Sequence, residues 1–142
     1  MKIRMLRVIV LCLFCFSLNA CMTYKVVQLF QANAVIEGFF GALNKGEMDA
    51  VLGFYADSLR QSVGDELLEE GLRRDVERLG PFVDFKRRSW RLEEGKQLVL
   101  VCEVLYEQGV THEEFAISVG GEEKILSHEI KSERLRGGKY EI

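Results

Sequence analysis

The chain lacks most of the features that mark common chemistries. It has no phosphate-cradling glycine motif, no Ser/His/Asp constellation, no internal repeat and no low-complexity segment. It also lacks an excess of positive charge: the formal charge is −3, and removing Lys2, Arg4 and Arg7 with the first 20 residues takes it to −6. A net acidic surface repels phosphate backbones, which argues against nucleic acid as a partner. His112 and Glu114 share one strand face, but zinc needs at least three protein ligands and no third is evident. No metal and no cofactor is therefore expected. Usable cysteine is scarce as well. Of four, Cys12 and Cys15 lie inside an apolar run, Cys21 follows it closely, and only Cys102 remains. Cys102 continues the run Leu98, Val99, Leu100, Val101 and reads as a small buried hydrophobe, so no internal disulfide framework is expected.

What the chain does have is apolar side chain, 48% of its residues, with nine Phe, one Trp and a single Pro. That is enough for one packed core in a domain of ordinary size, without staples. The first 20 residues stand apart. Lys2, Arg4 and Arg7 precede an uninterrupted apolar stretch over 8–16 (VIVLCLFCF), followed by Ser17, Leu18, Asn19, Ala20 and Cys21. These are the charged, apolar and cleavage regions of a secretory signal, and the stretch falls short of the roughly 20 residues that span a bilayer.

Leu18-Asn19-Ala20-Cys21 resembles the lipobox of bacterial lipoproteins, with a branched aliphatic residue at −3, a small one at −1 and cysteine at +1. The resemblance implies cleavage between Ala20 and Cys21 and a diacylglyceryl thioether, with palmitate-type chains, on Cys21. Two or three acyl chains anchor stably, each buried CH₂ contributing about 0.8 kcal/mol. It implies a cell-envelope location with the membrane as a partner. In a Gram-negative cell, Met22 at +2 would direct the protein to the outer membrane, facing the periplasm.

The expected organisation is a leader over 1–20, a lipidated tether over 21–25, a domain over 26–133 and a frayed tail over 134–142 with Gly137-Gly138. Apolar positions 26, 29, 30, 36, 39, 40 and 43 have helical spacing, and Asn44-Lys45-Gly46 supplies a stop. A short helix is predicted over 47–55. A third runs from Asp65, with Leu67, Leu68, Leu72, Val76 and Leu79 apolar, to the break at Gly80-Pro81. Four strands follow, over 82–92, 97–107, 110–119 and 124–133, joined by short glycine-containing links. Links that short make consecutive antiparallel hairpins. The fold class is α+β, N-terminal helices packed on a four-stranded antiparallel sheet.

The segments "FFGALNKGEMDAVLGFY", "LGPF" and "VLVCEVLYE" within this order resemble small exported proteins of the nuclear transport factor 2-like superfamily. The resemblance implies a curved sheet wrapped on a long helix, with a cone pocket between them and, commonly, dimerisation through the convex face. It implies no activity. Enzymes of the superfamily set an acid and a tyrosine into an apolar cone. Alternation places Cys102, Tyr106 and His128 inward, with Tyr55 added from the short helix. These four are the pocket candidates, and His128 reads first as a core histidine with a satisfied hydrogen bond. Glu103, Glu107 and Glu114 face outward, with no inward acid expected except Asp84 if the first strand is bulged; a bulge would also re-aim Trp90 to the face of Phe85. Lys86, Arg87, Arg88 and Arg91 divide between two faces and read as a solvated edge.

The reading that results is a lipid-anchored module binding a small apolar ligand or an envelope protein, with a homodimer open. The rival is an isomerase or dehydratase acting on a small hydrophobic substrate. An inward carboxylate beside Tyr106 or Tyr55 would favour the enzyme; a filled core would leave a role for the surface alone.

Overall fold

A computed structural model describes the backbone from residue 2 to residue 135 and the side chains from Thr23 onward. The element order is α1 (Lys2–Lys45), α2 (Met48–Gly53), α3 (Asp57–Val63), α4 (Asp65–Leu79), β1 (Phe82–Glu93), β2 (Gln97–Tyr106), β3 (Gly109–Ser118) and β4 (Ile125–Leu135). The four strands form one antiparallel sheet in the order β1-β2-β3-β4, the α+β meander expected from the short links.

α1 is continuous through the expected leader and tether, and the side chain of Cys21 lies outside the described residues. From Thr23 to Lys45 the helix is apolar and long enough to cross a membrane, yet its C-terminal half is core. Ala32, Ile36, Phe39, Phe40 and Leu43 are buried at helical spacing. Val26 and Phe30, expected on the same face, are instead 63% and 76% exposed, because the sheet and helices cover only the later turns. The helix stops at Gly46, whose φ of +71° suits glycine, with Lys45 in the last turn.

α3 was not legible as a helix. Its seven residues bury nothing and carry no apolar stripe. α4 matches its expected span and buries Leu72 and Leu79, with Leu68 and Val76 partly covered; Leu67 points away and is 63% exposed. The end of α4 is pinned to the β2–β3 turn by Gln108 N–H donating to Leu79 C=O at 2.9 Å and Glu107 N–H to Pro81 C=O at 3.0 Å.

Register breaks set which side chains enter the core. β1 shifts between Phe82 and Asp84 and again between Arg87 and Ser89. The second shift brings Trp90 opposite Leu100, on the face that also carries Phe85 opposite Val104. Asp84 pairs with Leu105, is exposed, and accepts the Phe85 N–H at 2.8 Å, so it is not an inward acid. In β4 a shift at Ile117 places Ile125 in the core, fully buried, and leaves Leu126 only half-buried. β4 continues to Leu135, two residues into the expected tail; residues 136–142 lie outside the described residues.

The free edge of β1 is partly closed by side chains. Asn44 receives the Phe82 N–H on Oδ1 at 2.9 Å and donates from Nδ2 to the Phe82 C=O at 2.8 Å, as a neighbouring strand would. At the other edge, Tyr55 forms a parallel bridge with Ile125, Ala56 N–H donating to Ile125 C=O at 2.9 Å and Ile125 N–H to Phe54 C=O at 2.8 Å. That bridge fixes the Tyr55 side chain over the inner face of the sheet.

Candidate functional site: a buried Glu113–His128 network

The inner face of the sheet carries one fully buried carboxylate, Glu113, while Glu133, opposite Thr111, sits at the margin of that face in an ion pair with Arg78 of α4. Glu113 lies two residues before Phe115 on β3, hence on the same face, opposite Cys102 on one side and Ile130 on the other. It is fully buried. The expectation of no inward acid on this strand is corrected here: alternation from Phe115 reaches Glu113 directly, but a carboxylate within an apolar face goes against the usual rule that such charges stay in water.

Three polar side chains, Tyr106, Thr111 and His128, bond to it directly. The Tyr106 hydroxyl donates to Glu113 Oε1 at 2.8 Å and the Thr111 hydroxyl donates to the same oxygen at 2.6 Å. His128 Nε2 is 2.6 Å from Oε2, and its Nδ1 is 3.3 Å from the Tyr55 hydroxyl. An Nε2–H donating to the carboxylate leaves Nδ1 to accept from Tyr55 in neutral imidazole. The ring stacks on Phe115 at a centroid distance of 4.2 Å and meets the edge geometry of Phe39 at 5.5 Å.

Burial alone would raise the Glu113 pKa. The hydrogen bond and charge of His128, followed by the hydroxyls of Thr111 and Tyr106, outweigh it and hold the carboxyl below its ordinary value. Burial first, and the Glu113 charge second, push the phenols of Tyr55 and Tyr106 well above theirs. The Cys102 thiol is pushed up to about 12 by burial and then by Glu113, against the opposing charge of Arg87. Since the thiolate is the nucleophile, Cys102 is expected to resist alkylation at pH 8 in the native protein and to react once the chain is unfolded in urea. Mass mapping of the Cys102 peptide checks this.

Of the four residues expected to line a pocket, Tyr55, Tyr106 and His128 meet in this network, and Cys102 stands beside it across the strand pair. Four open clefts among the described residues are lined by other side chains. Clefts of about 610, 500, 380 and 550 Å³ lie on the outside of the described residues: between α1 and β1, beside the β1–β2 turn, at the α3–α4 junction, and between α2 and α4. Tyr55 and Tyr106 are 3% and 4% exposed, and the His128 side chain 11%. A base needs hydrogen-bond reach to a substrate, and these groups reach one another.

The outer face of the sheet is a lattice of ion pairs. Arg88 bonds Glu103 at 2.7 Å, with His112 3.7 Å from the same carboxylate, while Glu114 lies between Arg91 at 3.6 Å and Lys131 at 3.8 Å. His112 and Glu114 are thus engaged by separate partners. Arg87 alone of the basic group turns inward, donating to Asn33 on α1 at 3.1 Å.

No protein-family model, curated protein or solved structure matches this chain.

Proposed function

We propose that this chain is the precursor of a bacterial lipoprotein, cut before Cys21 and held in the cell envelope by acyl chains on that cysteine, whose domain binds a protein partner through its surface. The lipobox-like sequence supports the anchor. The observation that carries the surface role is the closed network: Tyr55, Tyr106, Thr111, Glu113 and His128 bond to one another on the inner face, and the four open clefts are lined by other residues. The cleft between α1 and β1, lined by Asn33, Glu37, Asn44, Asp84, Lys86 and Arg87, has the mixed charge that suits a polar segment of another envelope protein. Internal pairing of the charges on the outer sheet face disfavours a homodimer through that face. We assign the domain to the nuclear transport factor 2-like cone; the α+β order and the placement of α1 across the inner face support the assignment.

A second reading, an acid–base enzyme, is favoured by Glu113 beside Tyr106 and by the chain of hydroxyl, imidazole and carboxylate from Tyr55 to Glu113. It requires the network to open, since both His128 nitrogens are occupied.

Intact mass spectrometry of detergent-extracted protein tests the proposal. The expected mass begins at Cys21 and includes two or three acyl chains, with no small molecule retained. Cys21→Ser is expected to abolish acylation and release the domain from the membrane fraction. Unchanged membrane retention of that variant would overturn the anchor, and a co-purifying metabolite would overturn the surface role in favour of the enzyme.

A further inference from the structure

The N-terminal end of the described part of α1 is left uncovered by the domain. Tyr24, Val26, Val27 and Phe30 are 53%, 63%, 49% and 76% exposed. Beneath them Gln28 is 4% exposed, and its side-chain amide has no hydrogen-bond partner among the described residues. A buried amide without a partner and an apolar turn open to solvent at the same place show an end that the domain's own residues do not complete.

Trp90 belongs to the same end. Two hydrogen bonds lay β1 antiparallel along α1, Asn44 to Phe82 and Asn33 to Arg87. Asn33 to Asn44 rises about 16 Å along the helix, and Phe82 to Arg87, which with its bulge spans the register positions Tyr106 to Cys102, about 13 Å along the strand. The bulge between Arg87 and Ser89 puts Trp90 two register positions beyond Arg87, about 7 Å further towards the end of α1 that carries Gln28. It is 41% exposed, although it occupies the inner-face position opposite Leu100. The β3–β4 turn closes the other side, with Gly120 beside the Tyr24 hydroxyl and Val119 N–H bonded to Lys96 C=O of the β1–β2 turn at 3.0 Å.

We propose that this end is a membrane-docking surface, with Tyr24, Val27, Phe30 and Trp90 seated in the headgroup region of the bilayer that holds Cys21. The inference rests on the anchor reading above. Its occupant is a lipid surface because Tyr24 is three residues from the anchoring cysteine, too close for the exposed turn to stand clear of the bilayer. The composition agrees: amphipathic Trp and Tyr rings concentrate at membrane–water interfaces, and the exposed Lys25 can meet headgroup phosphate.

Trp90 is the only tryptophan, so its emission reports this surface directly. The acylated protein is reconstituted in phosphatidylcholine and phosphatidylglycerol vesicles containing lipid spin-labelled near the headgroup. Loss of most of the Trp90 emission is expected, and Phe30→Asp, at an exposed position, should restore much of it while leaving the urea unfolding midpoint unchanged. Unquenched Trp90 in protein whose mass shows acylated Cys21 overturns the docking surface and leaves the anchor standing. Protein without acyl chains overturns both. A Trp90 shielded without lipid, together with a dimer in sedimentation, overturns the proposal in favour of a second copy of the chain.

Discussion

Phe39→Ala is expected to destabilise the domain by about 3–5 kcal/mol, most of the stability of a small domain. Phe39 is fully buried midway along the core stripe of α1. Its ring meets Phe40 at 5.2 Å, Tyr55 at 5.6 Å, Phe115 at 6.3 Å and Phe54 at 6.4 Å, each in edge geometry. Those partners come from α1, the segment after α2, and β3, so no single element can collapse into the space left by the ring. Phe54 cannot follow freely, because its ring already lies against Gly38, where an added Cβ would come within 2.8 Å. Urea unfolding followed by circular dichroism measures the loss; a cost below about 0.5 kcal/mol would mean that α1 does not pack through this face.

His128→Ala is expected to cost about 3–5 kcal/mol, a size that its modest apolar area does not explain. Removing the imidazole leaves the Glu113 carboxylate fully buried with two hydroxyl donors and no basic partner. Glu113→Gln should be milder, since a neutral amide keeps an acceptor for Tyr106 and Thr111. The pair can be separated by pH. Because the folded Glu113 pKa is depressed, its contribution is complete above the unfolded carboxyl value of about 4.3 and is lost as pH falls through the lower folded value. The unfolding midpoint of the parent protein should therefore fall more steeply than that of Glu113→Gln between about pH 5 and 3. Parallel curves would show that Glu113 titrates alike in folded and unfolded chains.

The sheet was the most legible part of the fold. The glycine-containing links are short and separate runs with period-two alternation, so strand order follows from them, and the strand ends to within one or two residues. The inward set Leu98, Leu100, Cys102, Val104 and Tyr106 is buried as alternation requires. Less legible were the features that depend on tertiary contact. α3 has no apolar stripe to read, and Leu67 shares its neighbourhood with true core leucines but turns to solvent. The register shift that exchanges Leu126 for Ile125 leaves no trace in a strand containing both. Glu113 was legible in position but not in type: its place on the inner face follows from Phe115, whereas the imidazole and two hydroxyls that make a buried carboxylate tolerable come from β2, β3 and β4 and converge only in the folded sheet.

The Asn44 clamp on Phe82 has a consequence for how the protein behaves among its own copies. Under the lipid anchor proposed at Cys21, copies of the chain would share a two-dimensional surface, where local concentration is high and encounters between sheet edges are frequent. A strand whose edge amides and carbonyls were open would invite another chain to extend the sheet, the first step towards an ordered aggregate. Here Asn44 fills both hydrogen-bonding sites of Phe82 and Asp84 fills the amide of Phe85, so an incoming strand would have to displace a side chain at each of these three groups. One asparagine at the close of a helix thus serves colloidal stability, and the residue to change in order to see clustering on a membrane would be Asn44.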